Sequence, residues 1–177
     1  VYNNFHMGHG GELCAAKYRL TRSELDDFAL ESYRRAREAI GAGIFKQEIV
    51  PVEAPQRKGS RLTVMEDEEP NRVDLSRLRE LKPVFQEDGV LTVGNSPSCN
   101  DGAAALVVMA EEQAAHLRLT PMARIVGYAG AALAPEWFTI APIEAIKLVL
   151  KKTGLSVGDI DLFEINEAFS AVSLAIN

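Results

Sequence analysis

The sequence predicts an α/β fold with a mixed sheet, and three observations carry that prediction. After Ala103, apolar runs of strand length alternate with helical patterns: 103–109, 124–131 and 162–165 against 111–117, 143–152 and 168–176. The earlier half holds one long amphipathic helix and one hairpin pattern. Composition is that of an ordinary folded protein, 47% hydrophobic and 25% charged over 177 residues. Such a length buries a sizeable core and makes one domain or two small ones. The net charge of −6 argues against a general nucleic-acid or acidic-membrane binder. No apolar run is long enough to span a membrane, and no signal-peptide pattern is visible. Cys14 and Cys99 lack CxxC or metal spacing and read as reduced thiols, which predicts a cytoplasmic location.

Residues 1–11 contain Gly8, Gly10 and Gly11 with His6 and His9, and read as a loop. No strand precedes these glycines, so they make a poor phosphate cradle. The two histidines lack a third ligand at zinc spacing, and no metal site is predicted. Glu12 to Arg19 follows as a short helix, with Cys14 among alanines as core. Thr21 and Glu24 then form a capping box, whose loss typically costs ~1 kcal/mol. The helix it opens carries Leu25, Phe28, Ala29, Ser32, Ala36 and Ala39 on one face and stops near Gly41–Gly43. Glu48 to Val52 reads as an edge strand because of Pro51. Gln56 to Arg61 is a basic turn, and Arg61 to Met65 the second strand of a hairpin. An exposed acidic run, Glu66 to Glu69, leads to a short helix from Asp74 to Leu81, ended by Pro83.

Pro135 to Phe138 reads as a loop. The helix after it turns Ile143, Ile146, Val149 and Leu150 inward and closes at Gly154. Leu162, Phe163 and Ile165 read as a buried strand, followed by an apolar helix from Ala168 to Ile176. Asn166 and Glu167 stand at that junction. Free N–H groups and the helix dipole make it a place to build a site. Equally, Asn166 fits an N-cap and Glu167 a dipole partner.

Several stretches resemble one family. Asn166-Glu167-Ala168-Phe169 resembles the NEAF signature of the thiolases, which comprise acetyl-CoA acetyltransferases and 3-ketoacyl-CoA thiolases. Phe5-His6-Met7-Gly8 with Glu12 resembles the family's HMGxTAE segment, with Gly10 and Gly11 in place of Thr and Ala. Leu20 to Ser32 resembles ISRExQDxFAxxS, and Lys82-Pro83-Val84-Phe85 resembles LRPxF. Thr92 to Ala105 resembles TAGNASGxNDGAAA. The resemblance runs almost without gaps from Phe5 to Asn177.

It implies an acyltransferase, condensing acyl-CoAs or thiolysing a 3-ketoacyl-CoA through a cysteine acyl-enzyme. Asn166 is implied as catalytic, holding a water of the oxyanion hole. His6, Met7, Phe85, Phe138, Ala168 and Phe169 are implied to line the substrate tunnel. The family's pantetheine-binding serine falls at Pro97, so Ser96 and Ser98 beside it are the expected substitutes. The segment that meets the ADP end of CoA is altered, with Arg72 near the expected arginine. Neither Cys14 nor Cys99 has an identifiable activating partner. The resemblance places the family's nucleophilic cysteine before Val1, and its later histidine and cysteine after Asn177. Residues 1–99 correspond to the CoA-facing loop domain, 100–120 to the end of the first core domain, and 121–177 to a truncated start of the second. Coenzyme A is the expected partner, as substrate and not cofactor, and the full chain is expected to form a homo-oligomer. The alternative is a non-catalytic CoA-binding or assembly module.

Overall fold

The computed structural model describes residues 4–56 and 59–177. Helix α1, Met7–Tyr18, begins five residues before the helix expected from the sequence. Gly8, Gly10 and Gly11 lie inside it, not in a loop. Each glycine costs a helix interior about 1 kcal/mol relative to alanine. Packing offsets that cost, because a Cβ at Gly8 would overlap the Phe85 ring and one at Gly11 would stand 3.0 Å from Leu91. His6 supplies the N-cap, its Nδ1 accepting from the Gly8 N–H at 3.1 Å. At the other end Arg19 turns left-handed at φ 56°.

Helix α2, Arg22–Ala42, opens on the expected capping box: Glu24 accepts from the Thr21 N–H at 2.7 Å and Thr21 Oγ1 from the Glu24 N–H at 3.3 Å. Leu25, Asp26 and Ala29 form its buried stripe, and Gly43 ends it at φ 67°. Strands β1, Val52–Pro55, and β2, Arg61–Val64, make an antiparallel hairpin, with Val52 opposite Val64. The first strand thus starts where Glu48 to Val52 was expected to end. Turn hydrogen bonds occupy residues 43–49, and pairing begins past Pro51. Of the basic turn, Arg57 and Lys58 lie outside the described residues, as do Val1, Tyr2 and Asn3.

Helix α3, Glu69–Arg72, takes up the end of the acidic run. A 3-10 turn, Leu75–Glu80, follows, capped by Asp74, which accepts from the Ser76 N–H at 3.1 Å. Helix α4 spans Glu111–His116. The expected loop at Pro135 is a 3-10 turn, Pro135–Ile140, running into α5, Ala141–Thr153. Gly154 closes α5 at φ 73°. Helix α6, Ser170–Ile176, ends the chain.

Three expected strands do not form among the described residues. Segments 103–109, 124–131 and 162–165 are irregular, and Leu106, Val107 and Leu162 are 88%, 87% and 89% exposed. A strand exists through its hydrogen-bonded neighbour. Among the described residues, only β1 and β2 find one. The core instead gathers where α1, α2 and α6 meet the Pro135–Ile140 turn. Cys14, Leu25, Leu91, Ile140, Phe169, Ala171 and Val172 are buried there.

Candidate functional site

Two buried polar side chains hold the site's loops in place. Glu12, on α1, accepts from the Val90 N–H at 3.0 Å and the Leu91 N–H at 2.9 Å. Its carboxylate fills the space a Cβ on Gly89 would need. The Val84 N–H donates to the Leu91 carbonyl at 3.1 Å, which brings the neighbouring Phe85 over Gly8. Asn95 is the second anchor, 3% exposed. Its Oδ1 accepts from the Thr92 N–H at 2.8 Å, and its Nδ2 donates to Asp26 at 2.9 Å and to the Val90 carbonyl at 3.1 Å. Asp26 is also paired with Arg22 at 2.7 Å. The Asn95 carbonyl accepts from the Ser170 N–H at 3.1 Å, so one residue ties α2, the 92–98 loop and the start of α6 together.

These anchors bring three of the expected tunnel residues into one wall. The His6 ring stacks on Phe85 with centroids 5.2 Å apart, and Phe85 meets Phe169 edge-on at 6.3 Å. Both distances are in the range aromatic pairs favour. Ala168 is half-buried against the same cluster. Met7 is 65% exposed at the helix start. Phe138 lies on a different side of α1, its ring edge over Gly10, and is 38% exposed.

The two serines part company. Ser98 is exposed and accepts from Asn100 Nδ2 at 2.7 Å. Ser96 Oγ is buried without a hydrogen-bond partner. Ser96 borders a cleft of about 620 Å³, walled also by Tyr33, Arg77, Leu78 and Phe85. Tyr33 donates to Glu69 at 3.2 Å. Burial, with the Glu69 carboxylate second, pushes the Tyr33 phenol up to about 12. Arg72 turns onto Glu68 at 2.8 Å and is not among the cleft's lining residues.

Asn166 and Glu167 are exposed. Helix α6 starts after them with Phe169 at the N-cap, so Asn166 does not cap it. The Asn166 carbonyl accepts from the Ala168 N–H at 2.9 Å. Glu167 accepts from Ser32 Oγ on α2 at 2.5 Å, which anchors this turn. Cys14 is fully buried and its Sγ donates to the Ala171 carbonyl at 3.5 Å. Burial pushes its thiol up, the reverse of what a nucleophile needs. Cys99 is exposed.

Among the described residues, no three His, Cys, Asp or Glu side chains gather as a metal site. Residue-by-residue reading gave no role to Asp26 or Asn95. The signal was present in Asn95, a polar residue inside the 92–105 signature, but its partners lie 69 and 75 positions away.

Comparison with known proteins fits this arrangement. Models of the thiolase N-terminal and C-terminal domains match residues 1–112 and 119–177. An acetyl-CoA acetyltransferase of Yarrowia lipolytica is 52% identical over 174 residues, covering 98% of this chain and 44% of that protein. The mitochondrial acetyl-CoA acetyltransferase B of Xenopus laevis is 49% identical, covering 99% of this chain and 42% of its own length. The crystal structure of Bacillus anthracis acetyl-CoA acetyltransferase superposes with a TM-score of 0.93 at 41% identity, over 99% of this chain and 44% of that one. The chain therefore spans less than half the length of these relatives, and its helices and hairpin are part of the α/β thiolase fold. With two domain models matched in tandem, and with His6, Phe85 and Phe169 gathered from three separate motifs into one wall, the chain belongs to the thiolase family.

Proposed function

We propose that the protein containing this chain is an acyltransferase that condenses two acyl-CoAs or thiolyses a 3-ketoacyl-CoA. The observation that carries this reading is the wall of His6, Phe85 and Phe169, with ring centroids 5.2 and 6.3 Å apart. In thiolysis a cysteine thiolate attacks the 3-keto carbonyl and the C2–C3 bond breaks. The released carbanion takes a proton and leaves as acetyl-CoA. A CoA thiol then accepts the acyl group from the cysteine. Cys14 is buried with a raised pKa, and Cys99 has no activating partner in sequence, so the nucleophile lies outside this chain.

Asn166 is the catalytic residue this chain contributes, its exposed amide holding a water of the oxyanion hole. Phe85, Phe138, Ala168 and Phe169, with His6 and Met7, line the tunnel. Ser96, whose hydroxyl is unpartnered beside the cleft, is a better pantetheine partner than Ser98, which is engaged by Asn100. Residues 1–99 act as the CoA-facing loop domain, 100–120 and 121–177 as parts of the two core domains. CoA serves as substrate, no further cofactor takes part, and the full protein assembles as a homo-oligomer. Two free cysteines suit a reducing compartment, and we place the protein in the cytoplasm. Its relatives include proteins named as mitochondrial, so cell fractionation decides that point.

Full-length protein should cleave acetoacetyl-CoA with CoA. Asn166→Ala should lower kcat by about 10²–10³, the usual cost of one oxyanion donor. An inactive full-length protein that still binds CoA would instead support a non-catalytic CoA-binding module.

A further inference from the structure

Phe138 of the Pro135–Ile140 turn packs against Gly10 of α1. A Cβ on Gly10 would stand 2.7 Å from Phe138 Cε1 and 3.6 Å from the Glu136 carbonyl. Real Cβ atoms keep a wider berth than the first distance, so the ring occupies space that only glycine leaves open. The adjoining backbone is fixed as well. Thr139 is 2% exposed and its Oγ1 donates to the Gly10 carbonyl at 3.4 Å, while Ile140 is in the core. The backbone just after the ring therefore cannot readily retreat. A side chain at position 10 would have to swing the ring itself, and the ring's free direction is outward, where it is 38% exposed. Met7 sits three residues before Gly10 on the same helix, so the two positions share a face. Met7 is 65% exposed.

We propose that Gly10 is a specificity-positioning residue: by letting Phe138 seat against α1, it sets how far the Phe138 ring projects into the acyl-binding surface. Gly10 touches no substrate and acts through the Phe138 ring. This rests on the thiolase reading of the whole protein. A bulkier residue 10 pushes the ring into the acyl path and penalises longer acyl chains more than short ones.

The test compares full-length wild type, Gly10→Ala, Phe138→Ala and the double variant. For each, kcat/KM is measured for thiolysis of acetoacetyl-CoA and 3-ketohexanoyl-CoA, alongside the melting temperature. Gly10→Ala should lower the ratio of long to short substrate by about tenfold or more, the scale on which a pocket wall discriminates methylenes. In the Phe138→Ala background the same substitution should leave the ratio unchanged, because no ring remains to displace. A merely structural role would shift melting temperature and both substrates equally, and that result overturns the proposal. If Gly10→Ala does not fold, Phe138→Ala alone decides. A rise in the long-to-short ratio supports the proposal and an unchanged ratio overturns it. A wild type inactive on both substrates would overturn the thiolase reading and this proposal together. An active wild type with an unmoved Gly10→Ala ratio would overturn the proposal alone.

Discussion

Asn95 shows how much one buried amide can organise. Its side chain saturates a backbone N–H, a backbone carbonyl and the Asp26 carboxylate, and its own carbonyl takes the Ser170 N–H. Apolar truncation would leave the Thr92 N–H and the Val90 carbonyl without their side-chain partner and Asp26 with Arg22 alone, and each unsatisfied buried group costs about 1–3 kcal/mol. Asn95→Ala should therefore lower the urea midpoint of the full-length protein by a corresponding amount. Because the Asn95 side chain holds the 92–98 loop against Asp26 of α2, KM for CoA should rise in the same variant of the proposed acyltransferase. A midpoint equal to wild type would mean that water replaces the amide. Asn95 was visible in the sequence as part of a signature, yet its structural task was not. Spacing along a chain cannot show that residues 26, 95 and 170 meet.

At the scale of single elements, α2 is the part whose sequence and structure agree most closely. Its start is written in Thr21 and Glu24, its buried stripe in Leu25 and Ala29, and its end in Gly43. The Thr21 hydroxyl, and after it the Thr21 backbone N–H, hold the Glu24 carboxyl below the usual glutamate range. Arg34 and then Arg35 bring Glu31 down to about 2. A carboxylate whose folded pKa is depressed stabilises fully above its unfolded pKa and loses that contribution as pH falls through the folded value. The N-terminus of α2 should thus weaken only in acid below the ordinary glutamate range. A ¹³C carboxyl titration of Glu24 and Glu31 tests this, with Glu31 expected to change near pH 2. Midpoints equal to those of an unstructured glutamate would show that neither clamp persists in solution. Helix α1 makes the contrast. Its glycines point to a loop by propensity, but Phe85, Phe138 and Leu91 pack where their side chains would have been. Tertiary packing overrides local preference there.

The whole molecule has two unlike halves. Where α1, α2 and α6 meet, Cys14, Leu25, Phe169, Ala171 and Val172 are buried, whereas 103–110 and 121–130 carry Leu106, Val107, Ile125 and Val126 at 65–88% exposure. Exposed apolar runs of strand length call for pairing partners. This chain covers 44% of its Yarrowia lipolytica relative, and a full-length protein of that size would offer further segments for such pairing. We expect amides of 103–109 to exchange slowly in full-length protein and rapidly in the isolated chain, measured by hydrogen exchange with mass spectrometry. Rapid exchange in both would show that the segment is a loop by nature. The family motifs, the α2 capping box, the hairpin and the closure of α5 were legible without the structure, because each depends on residues close together in the chain. Only the tertiary structure decided that Gly8–Gly11 are helical, that Ser96 and Ser98 differ, that Phe138 seats on Gly10, and that Asn166 stands outside α6. Those outcomes depend on which distant side chains compete for the same space and the same hydrogen bonds, and such competition is settled only when the chain has folded.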